Sequence, residues 1–401
     1  MDSRKIIVSY RLPANIDTEK YATMLAVGQT TGSWDEAFPD QQAEMANYRA
    51  DVLDVLPVDD KHAIARIAFP SQNTENDIPS LLTAIFGKFS LAGPARICNI
   101  ELPEKYGINA QFGIEGIRKQ TSIYDRPLFM GIFKPALGLK PENYATLLRT
   151  VADAGLDLIK DDEIMFNLNS APTLDRVKAC QPIIHEMNDK HGRQLLYAVN
   201  LSGRADQLVS NARQLIDAGA NALLFNVFAY GFSCLEALSA HPEVNVPIFT
   251  HPALAGVLGG STSGNNDYGI DYNILLGTLM KYAGADAVLY PASYGSLPFD
   301  HQIEMQIRDI LRSADKNRTP AMPVPSAGIH PGIIGTAYQD YGNDVVLNAG
   351  SAIFDHPLGA AAGVRAFQDA WELTKSGQPV TLENANSQVL IDALKKWGEE
   401  K

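Results

Sequence analysis

The chain has 401 residues, of which 46% are hydrophobic and 20% charged, and its formal net charge is −13 at pH 7. This length predicts two domains, and the negative charge argues against binding to nucleic acid or to an anionic membrane surface. The N-terminal stretch has no apolar signal-peptide core, and no apolar run reaches the ~18 residues of a membrane span. The cysteines, Cys98, Cys180 and Cys234, are widely scattered, so we expect a reduced, cytoplasmic setting.

The first 126 residues predict an α+β domain. Strand patterns cover residues 6–14, 51–60, 61–70 and 95–104, and helix patterns cover 17–28 and 77–88. We therefore expect a ferredoxin-like N-terminal domain over residues 1–126, built around an antiparallel sheet.

From residue 127 onward, a short apolar run followed by an amphipathic stretch repeats along the sequence. The eight runs cover residues 128–135, 156–163, 194–203, 221–231, 246–256, 285–295, 321–331 and 344–354. Eight units in roughly 250 residues predict an α/β domain, a (β/α)₈ TIM barrel over residues 127–401, with a helical tail over 387–401. An open doubly wound sheet is the alternative, but the Gly-rich dinucleotide turn typical of that fold is missing.

The strongest candidate site follows the second apolar run, because TIM-barrel sites lie at the carboxyl ends of the strands. Lys160, Asp162 and Glu163 come directly after Leu-Asp-Leu-Ile. Two carboxylates suit a hard cation such as Mg²⁺. A lysine could join them as a ligand only if it were neutral or converted to a carbamate by carbon dioxide. The alternative is a solvated charged turn.

Polar side chains also end other strands of the predicted barrel. Lys134 could stabilise an enolate or a phosphate oxygen, and His251 could carry a proton or donate to a substrate. Either could equally be structural or exposed. Asn200 and Asn226 could orient a substrate, or could satisfy polar groups at the edge of the core.

Small residues end the seventh and eighth strands. They let backbone N–H groups approach an anion, and barrels commonly bind phosphate at this position. Tight turn geometry is the alternative, but the paired placement favours phosphate. The candidate phosphate-binding residues are Ser326, Gly328, Gly350 and Ser351.

These segments resemble the large subunit of ribulose-bisphosphate carboxylase (RuBisCO), and the resemblance covers essentially the whole chain. Residues 155–163, GLDLIKDDE, are similar to the family's metal-binding segment. The resemblance implies one Mg²⁺ per subunit, held by carbamylated Lys160 together with Asp162 and Glu163.

Two further segments carry the resemblance. Residues 326–332, SAGIHPG, resemble the family's phosphate-binding strand end. Residues 30–34, TTGSW, resemble the segment that reaches a neighbouring subunit's active site. The resemblance therefore implies a homodimer or higher homo-oligomer, in which Trp34 closes the partner's pocket.

The departures from the carboxylase pattern bear on the reaction. Lys134–Pro135–Ala136 lacks the second lysine of the first strand, and His251–Pro252 lacks the arginine that would hold a second phosphate. The loop after the sixth strand, residues 294–297, lacks its lysine. The sequence is therefore identified as a RuBisCO-like protein that does not fix carbon dioxide.

Within that group, the sequence resembles the 2,3-diketo-5-methylthiopentyl-1-phosphate enolases of methionine salvage. Shared stretches include residues 86–88, 116–119, 158–164, 196–204, 222–231, 251–253, 324–332 and 348–350. Lys88 lies where these enolases carry their proton-abstracting lysine. The resemblance implies an isomerase that enolises this phosphorylated diketone through an enediolate, with Lys134 and His251 contacting the substrate.

Two departures from the enolase pattern border the expected pocket, at residues 291–296 and 348–352. They leave open a RuBisCO-like decarboxylase or isomerase of a sugar-acid phosphate, such as 3-oxo-isoapionate 4-phosphate. A non-catalytic scaffold is disfavoured, because folding does not require Lys160, Asp162 and Glu163 together.

Overall fold

The structure is a computed structural model that describes residues 5–32, 38–262, 267–314 and 317–400. Four strands of the N-terminal part and one short strand from the later part of the chain form a five-stranded sheet in the order β10-β4-β1-β3-β2. Its strands are β1 (Lys5–Pro13), β2 (Asp51–Pro57), β3 (His62–Pro70), β4 (Arg96–Glu101) and β10 (Gly269–Ile270). The helices of this part are α1 (Thr18–Gly28), α2 (Gln42–Met45), α3 (Ile78–Phe86) and α4 (Phe89–Ala92).

Strand β1 is the centre of this sheet and pairs antiparallel with β3 and β4. Its alternate residues Ile6, Val8, Tyr10 and Leu12 are fully buried, as a strand with one core-facing side requires. The predicted antiparallel sheet is present, but β10 adds a short parallel strand at its edge. Two residues are too few to show a strand period, so the sequence gives no sign of β10.

The remainder of the chain forms the predicted barrel. Eight parallel strands run in the order β12-β11-β9-β8-β7-β6-β5-β13, which confirms the TIM-like fold class. The strands are β5 (Leu128–Ile132), β6 (Leu158–Lys160), β7 (Leu196–Asn200), β8 (Ala222–Phe225), β9 (Ile248–Thr250), β11 (Ala287–Pro291), β12 (Met322–Ser326) and β13 (Val346–Ala349). At the seam between the outermost strands, Asn348 Nδ2 of β13 donates to Ser326 Oγ of β12 at 2.9 Å.

Helices follow the barrel strands and surround the barrel. They are α5 (Gly113–Thr121), α6 (Pro141–Asp153), α7 (Thr173–His191), α8 (Leu208–Asp217), α9 (Val227–Tyr230), α10 (Phe232–Ala240), α11 (Ala255–Gly259), a π-helix (Asn273–Leu279), α12 (Met280–Tyr282), α13 (His301–Arg312), α14 (Ile334–Tyr341), α15 (Ser351–Phe354), α16 (Ala360–Lys375) and α17 (Gln388–Trp397). The last of these lies within the predicted tail. Among the described residues, no helix combines the length and apolar character needed to cross a membrane.

All eight predicted barrel strands are longer than the real ones, and two of them show the reason. The run over 221–231 leaves the strand after Phe225 and enters α9, and the run over 344–354 leaves it after Ala349 and enters α15. In both cases the apolar character continues through the turn, so periodicity alone does not mark the strand end. The division of the chain at residue 126 stays a prediction.

The barrel interior is filled by a separate apolar cluster. Every barrel strand contributes to it, through residues such as Met130, Leu158, Leu196, Leu224, Phe249, Leu289, Val324 and Val346. Because strand side chains alternate, the residue two places further along each strand points the same way, one layer nearer the mouth. This rule places Lys160, Asn226, His251, Ser326 and Asn348 in that next layer. Asn200 lies two places beyond Ala198, a further member of the cluster.

A buried carboxylate joins the two halves of the chain. Glu236 of α10 accepts a hydrogen bond from the Ile78 backbone N–H, at the first turn of α3, at 2.9 Å. Burial raises the pKa of Glu236 to about 7, against the opposing effect of this hydrogen bond, and nearby Asp77 raises it further.

The buried carboxyl group of Glu236 makes the stability of the protein depend on pH. The folded pKa of Glu236 exceeds the unfolded value of about 4.3, so its stabilising contribution is complete below that value and is lost as pH rises through 7. Glu236→Gln keeps an acceptor for Ile78 without ionising. Its urea-unfolding free energy, relative to the parent, should therefore increase between pH 5 and pH 8. A constant difference over this range would contradict the assignment.

Candidate active site

The predicted site residues gather at the carboxyl ends of the barrel strands. Lys160 is the last residue of β6 and is almost fully buried. Its ammonium donates to the Asp161 backbone carbonyl at 2.8 Å. Burial lowers the pKa of Lys160 to about 8, although the neighbouring carboxylates of Glu163 and Asp162 oppose this shift. Roughly a tenth of this amine is therefore neutral at pH 7, and the neutral amine is the form that adds carbon dioxide.

Two adjacent carboxylates and a lysine form the centre of the cluster. Lys134 Nζ contacts Asp162 Oδ2 at 2.6 Å. Burial alone would raise the pKa of Asp162, but the hydrogen bond from Lys134 and the charge of Lys160 bring it below its ordinary value. The pKa of Glu163 is raised, first by burial and then by its side-chain hydrogen bond to Asp162. Crowding of this kind is relieved by a cation.

The imidazole of His251 lies beside the Glu163 carboxyl group. Its Nε2 is 3.5 Å from Glu163 Oε2, and its Nδ1 accepts from the Ala253 N–H at 3.1 Å. Burial, supported by the charge of Lys160, lowers the pKa of His251 to about 3. The imidazole is therefore neutral, and because Nδ1 is an acceptor, Nε2 carries the hydrogen and can donate it.

Two asparagines hold the backbone of this segment. Asn200 and Asn226 each donate from Nδ2 to the Glu163 carbonyl oxygen at 3.0 Å. Both are buried, and within the described residues both Oδ1 atoms lack a hydrogen-bond partner. The amides thus satisfy a polar group at the edge of the core, and their role in orienting a substrate stays a prediction.

The anchor of the segment is a group that the sequence analysis missed. Asp161 points outward from the barrel, where its carboxylate accepts from Arg176 at 2.8 Å, from the Tyr197 hydroxyl at 2.6 Å and from the Asn200 N–H at 3.0 Å. Asp161 and Arg176 are both essentially inaccessible to solvent. The strand period alone could have identified Asp161 as outward-facing, but nothing in the sequence points to its partners.

The predicted phosphate residues lie across the mouth. Ser326 ends β12 and accepts the Asn348 amide noted above. Gly350 is close to Lys134, since a Cβ added at Gly350 would lie 3.5 Å from Lys134 Cε. Lys134 therefore lies between the carboxylates of the cluster and the predicted phosphate-binding residues. Gly328 adopts φ +103°, a conformation that favours glycine.

Lys88 is not brought to the cluster within one chain. It is exposed at the start of α4, and its ammonium lies 5.7 Å from the centre of the Phe89 ring. Among the contacts of the described residues, none joins Lys88 to Lys160, Asp162 or Glu163. Trp34 lies outside the described residues.

Comparison with known proteins gives the class of this fold and site. Residues 1–106 match the N-terminal domain, and residues 113–397 the catalytic domain, of the ribulose bisphosphate carboxylase large chain. The chain belongs to that family.

The chain also matches individual proteins over nearly its whole length. A 2,3-diketo-5-methylthiopentyl-1-phosphate enolase from Microcystis aeruginosa is 51% identical over 98% of this chain and 100% of its own length. The enolase of that name from Bacillus licheniformis is 39% identical over 95% of each chain. The crystal structure of a rubisco-like protein from Alicyclobacillus acidocaldarius superposes with a TM-score of 0.89, at 38% identity over 98% of this chain and 100% of that one.

The donor set at the mouth fits the divalent cation that this family implies. Two carboxylates share one hydrogen bond, a buried lysine has a lowered pKa, and two buried amide oxygens lack partners. Hard oxygen ligands of this kind suit Mg²⁺. Lys160 as a carbamate, Asp162 and Glu163 would hold the ion.

We expect the protein to lose much of its stability when the outward-facing carboxylate of Asp161 is removed. Asp161→Ala leaves Arg176 buried without its counter-charge and should lower the free energy of unfolding in urea by about 3–5 kcal/mol. The control is Glu186→Ala, which breaks an exposed ion pair with Arg149 and should change stability little. Equal losses in the two variants would contradict the anchoring role.

Proposed function

We propose that this protein is a 2,3-diketo-5-methylthiopentyl-1-phosphate enolase, an isomerase that converts the diketone phosphate to its enol form without fixing carbon dioxide. The observation that carries the proposal is the pairing of Lys134 with Asp162 beside Glu163 and neutral His251, on a chain 51% identical to an enolase of that name. The three free cysteines support a cytoplasmic setting.

A single Mg²⁺ at Lys160, Asp162 and Glu163 would act as a Lewis acid toward the substrate oxygens. Lys160 reaches its ligating form when its neutral amine adds carbon dioxide and releases a proton. Asn200 and Asn226 fix the position of Glu163 through its backbone, and Asp161 fixes the strand end.

The remaining residues bind the substrate and move protons. Neutral His251 donates from Nε2 to a substrate oxygen. The Lys134 ammonium, located between Asp162 and Gly350, donates to an oxygen on the path toward the phosphate. Ser326, Gly328, Gly350 and Ser351 bind the phosphate group through hydroxyl and backbone donors. Lys88 removes the proton from C1.

We propose that Lys88 acts on the site of a partner subunit in a homodimer. A Cβ added at Gly28, the last residue of α1, would lie 3.6 Å from Lys88 Cε. Lys88 therefore lies beside the end of α1 in the N-terminal domain. A partner whose barrel mouth meets this face of the domain would receive the Lys88 side chain.

The reaction is tested with the diketone phosphate in deuterated buffer. Loss of a positioned base typically costs ~10²–10⁴-fold in rate, so Lys88→Ala should slow exchange of the C1 proton by that factor while the substrate still binds. Chelation should stop turnover, and Mg²⁺ with bicarbonate should restore it. Turnover of a sugar-acid phosphate alone, with release of carbon dioxide, would instead establish the decarboxylase alternative.

A mixing experiment tests the dimer. Lys88→Ala and Lys160→Ala subunits are inactive separately, and we expect mixed, reassorted subunits to recover about a quarter of the parental activity. Half of the dimers are then hybrids, and each hybrid has one site with both lysines intact. If Lys88 served its own barrel, no hybrid site would be complete, and activity would stay at background.

A further inference from the structure

The loop after β11, residues 292–299, departs from both the carboxylase and the enolase patterns and has no role in the reaction described above. Two of its backbone N–H groups donate hydrogen bonds to carbonyl groups at the end of the neighbouring strand β12. The Ala292 N–H donates to Ser326 O at 3.0 Å, and the Ser296 N–H donates to Ala327 O at 2.6 Å. At its far end, the Phe299 ring packs edge-on against Tyr272, with ring centres 5.6 Å apart.

A fully buried carboxylate holds the start of this loop. Glu304 of α13 accepts from the Ser293 N–H through Oε2 at 2.7 Å. Its other oxygen, Oε1, accepts from the Tyr341 hydroxyl at 2.6 Å, and Tyr341 in turn accepts from Tyr290 of β11 at 3.3 Å. The chain of hydrogen bonds therefore begins and ends on the same strand-and-loop unit. It passes through two outer helices, α13 and α14.

The loop packs directly on the predicted phosphate-binding strand end. A Cβ at Gly295 would overlap Ala327 O, and a Cβ at Gly328 would overlap Ser296 N. Ala327 itself has φ +67°, a conformation unfavourable for a residue with a side chain. Such strain persists only where the surrounding structure imposes it, and here the imposing contact is the bond from Ser296.

The hydrogen bond from Ser296 to the Ala327 carbonyl sets the direction in which the Gly328 N–H points. The Ala327 carbonyl and the Gly328 N–H belong to one planar trans peptide, so they point in opposite directions. Because Ser296 holds the carbonyl, the Gly328 N–H faces away from the loop. Among the described residues, none accepts a hydrogen bond from it.

We propose that Glu304 is a positioning residue for substrate binding. By fixing residues 292–299 against the Ala327–Gly328 peptide, it aims the Gly328 N–H at the phosphate group of the substrate. The substrate part of this inference rests on the proposed function, whereas the anchoring of the loop does not.

The test compares Glu304→Ala with Glu304→Gln. Removal of the carboxylate leaves the Ser293 N–H and the Tyr341 hydroxyl without an acceptor in a buried setting. Glutamine can accept from Ser293 through its oxygen and donate to Tyr341 through its nitrogen. In the substrate-free protein, hydrogen exchange of residues 293–296 should accelerate about tenfold or more in Glu304→Ala and stay near the parental rate in Glu304→Gln.

Binding provides the second measurement. Glu304→Ala should raise KM for the diketone phosphate about tenfold and leave kcat within about threefold, because the lost interaction serves binding. The dissociation constant for inorganic phosphate should rise in parallel. Should Glu304→Ala not fold, Glu304→Asp replaces it, since a side chain shorter by one methylene cannot reach both donors.

The matched control is Asp286→Ala. Asp286 is also a buried carboxylate that accepts backbone N–H groups, from Phe112, Gly113 and Ile248, but it lies at the amino end of β11. This variant should leave both loop exchange and KM unchanged.

Three results would overturn the proposal. They are unchanged loop exchange in Glu304→Ala, equal acceleration in Asp286→Ala, and accelerated exchange with unaltered phosphate affinity. A parent protein that does not turn over the diketone phosphate would refute the proposed function, while loop exchange and inorganic phosphate would still decide the role of Glu304.

Discussion

The geometry of the barrel mouth depends on the buried ion pair between Asp161 and Arg176. Strand alternation sends Asp161 outward, and it therefore sends Lys160 and Asp162 inward. Without a firm outward anchor, three consecutive acidic residues at a strand end would be free to turn toward water. The pair with Arg176 and the bonds from Tyr197 and Asn200 fix one of the three, and this determines the direction of its neighbours.

The inward groups then form a closely packed set of opposite charges. Lys134 and Lys160 oppose Asp162 and Glu163, while burial keeps His251 neutral. The cost of bringing carboxylates together is met by the surrounding scaffold: an ion pair on one side and two amides on the Glu163 backbone on another. Energy of this kind, stored by folding, is what allows a site to favour a cation or a charged transition state.

Sequence reasoning recovered the architecture because eight apolar runs repeat with a regular spacing. The place of Lys160, Asp162 and Glu163 after the second run identified them as a group, and the family resemblance then implied their roles as metal ligands. It did not recover contacts that depend on distant parts of the chain. Arg176 and Glu304 resemble ordinary charged residues of amphipathic helices, and only the fold shows that each is buried against a loop. The two-residue strand β10 and the ends of β8 and β13 were missed because local periodicity carries no signal there. The role of Lys88 as the base stays a prediction, because this side chain is exposed and contacts Phe89 in the single chain.

The paired amides of Asn200 and Asn226 have a consequence for the ligands that this mouth can accept. Both nitrogens are committed to the Glu163 carbonyl, which only a donor can satisfy, so neither amide can turn over. The two remaining oxygens are permanent acceptors. A bare ketone oxygen gains nothing from them, whereas water or a hydroxyl group can donate to them. At this part of the barrel mouth, a group that carries a proton is therefore favoured over one that does not.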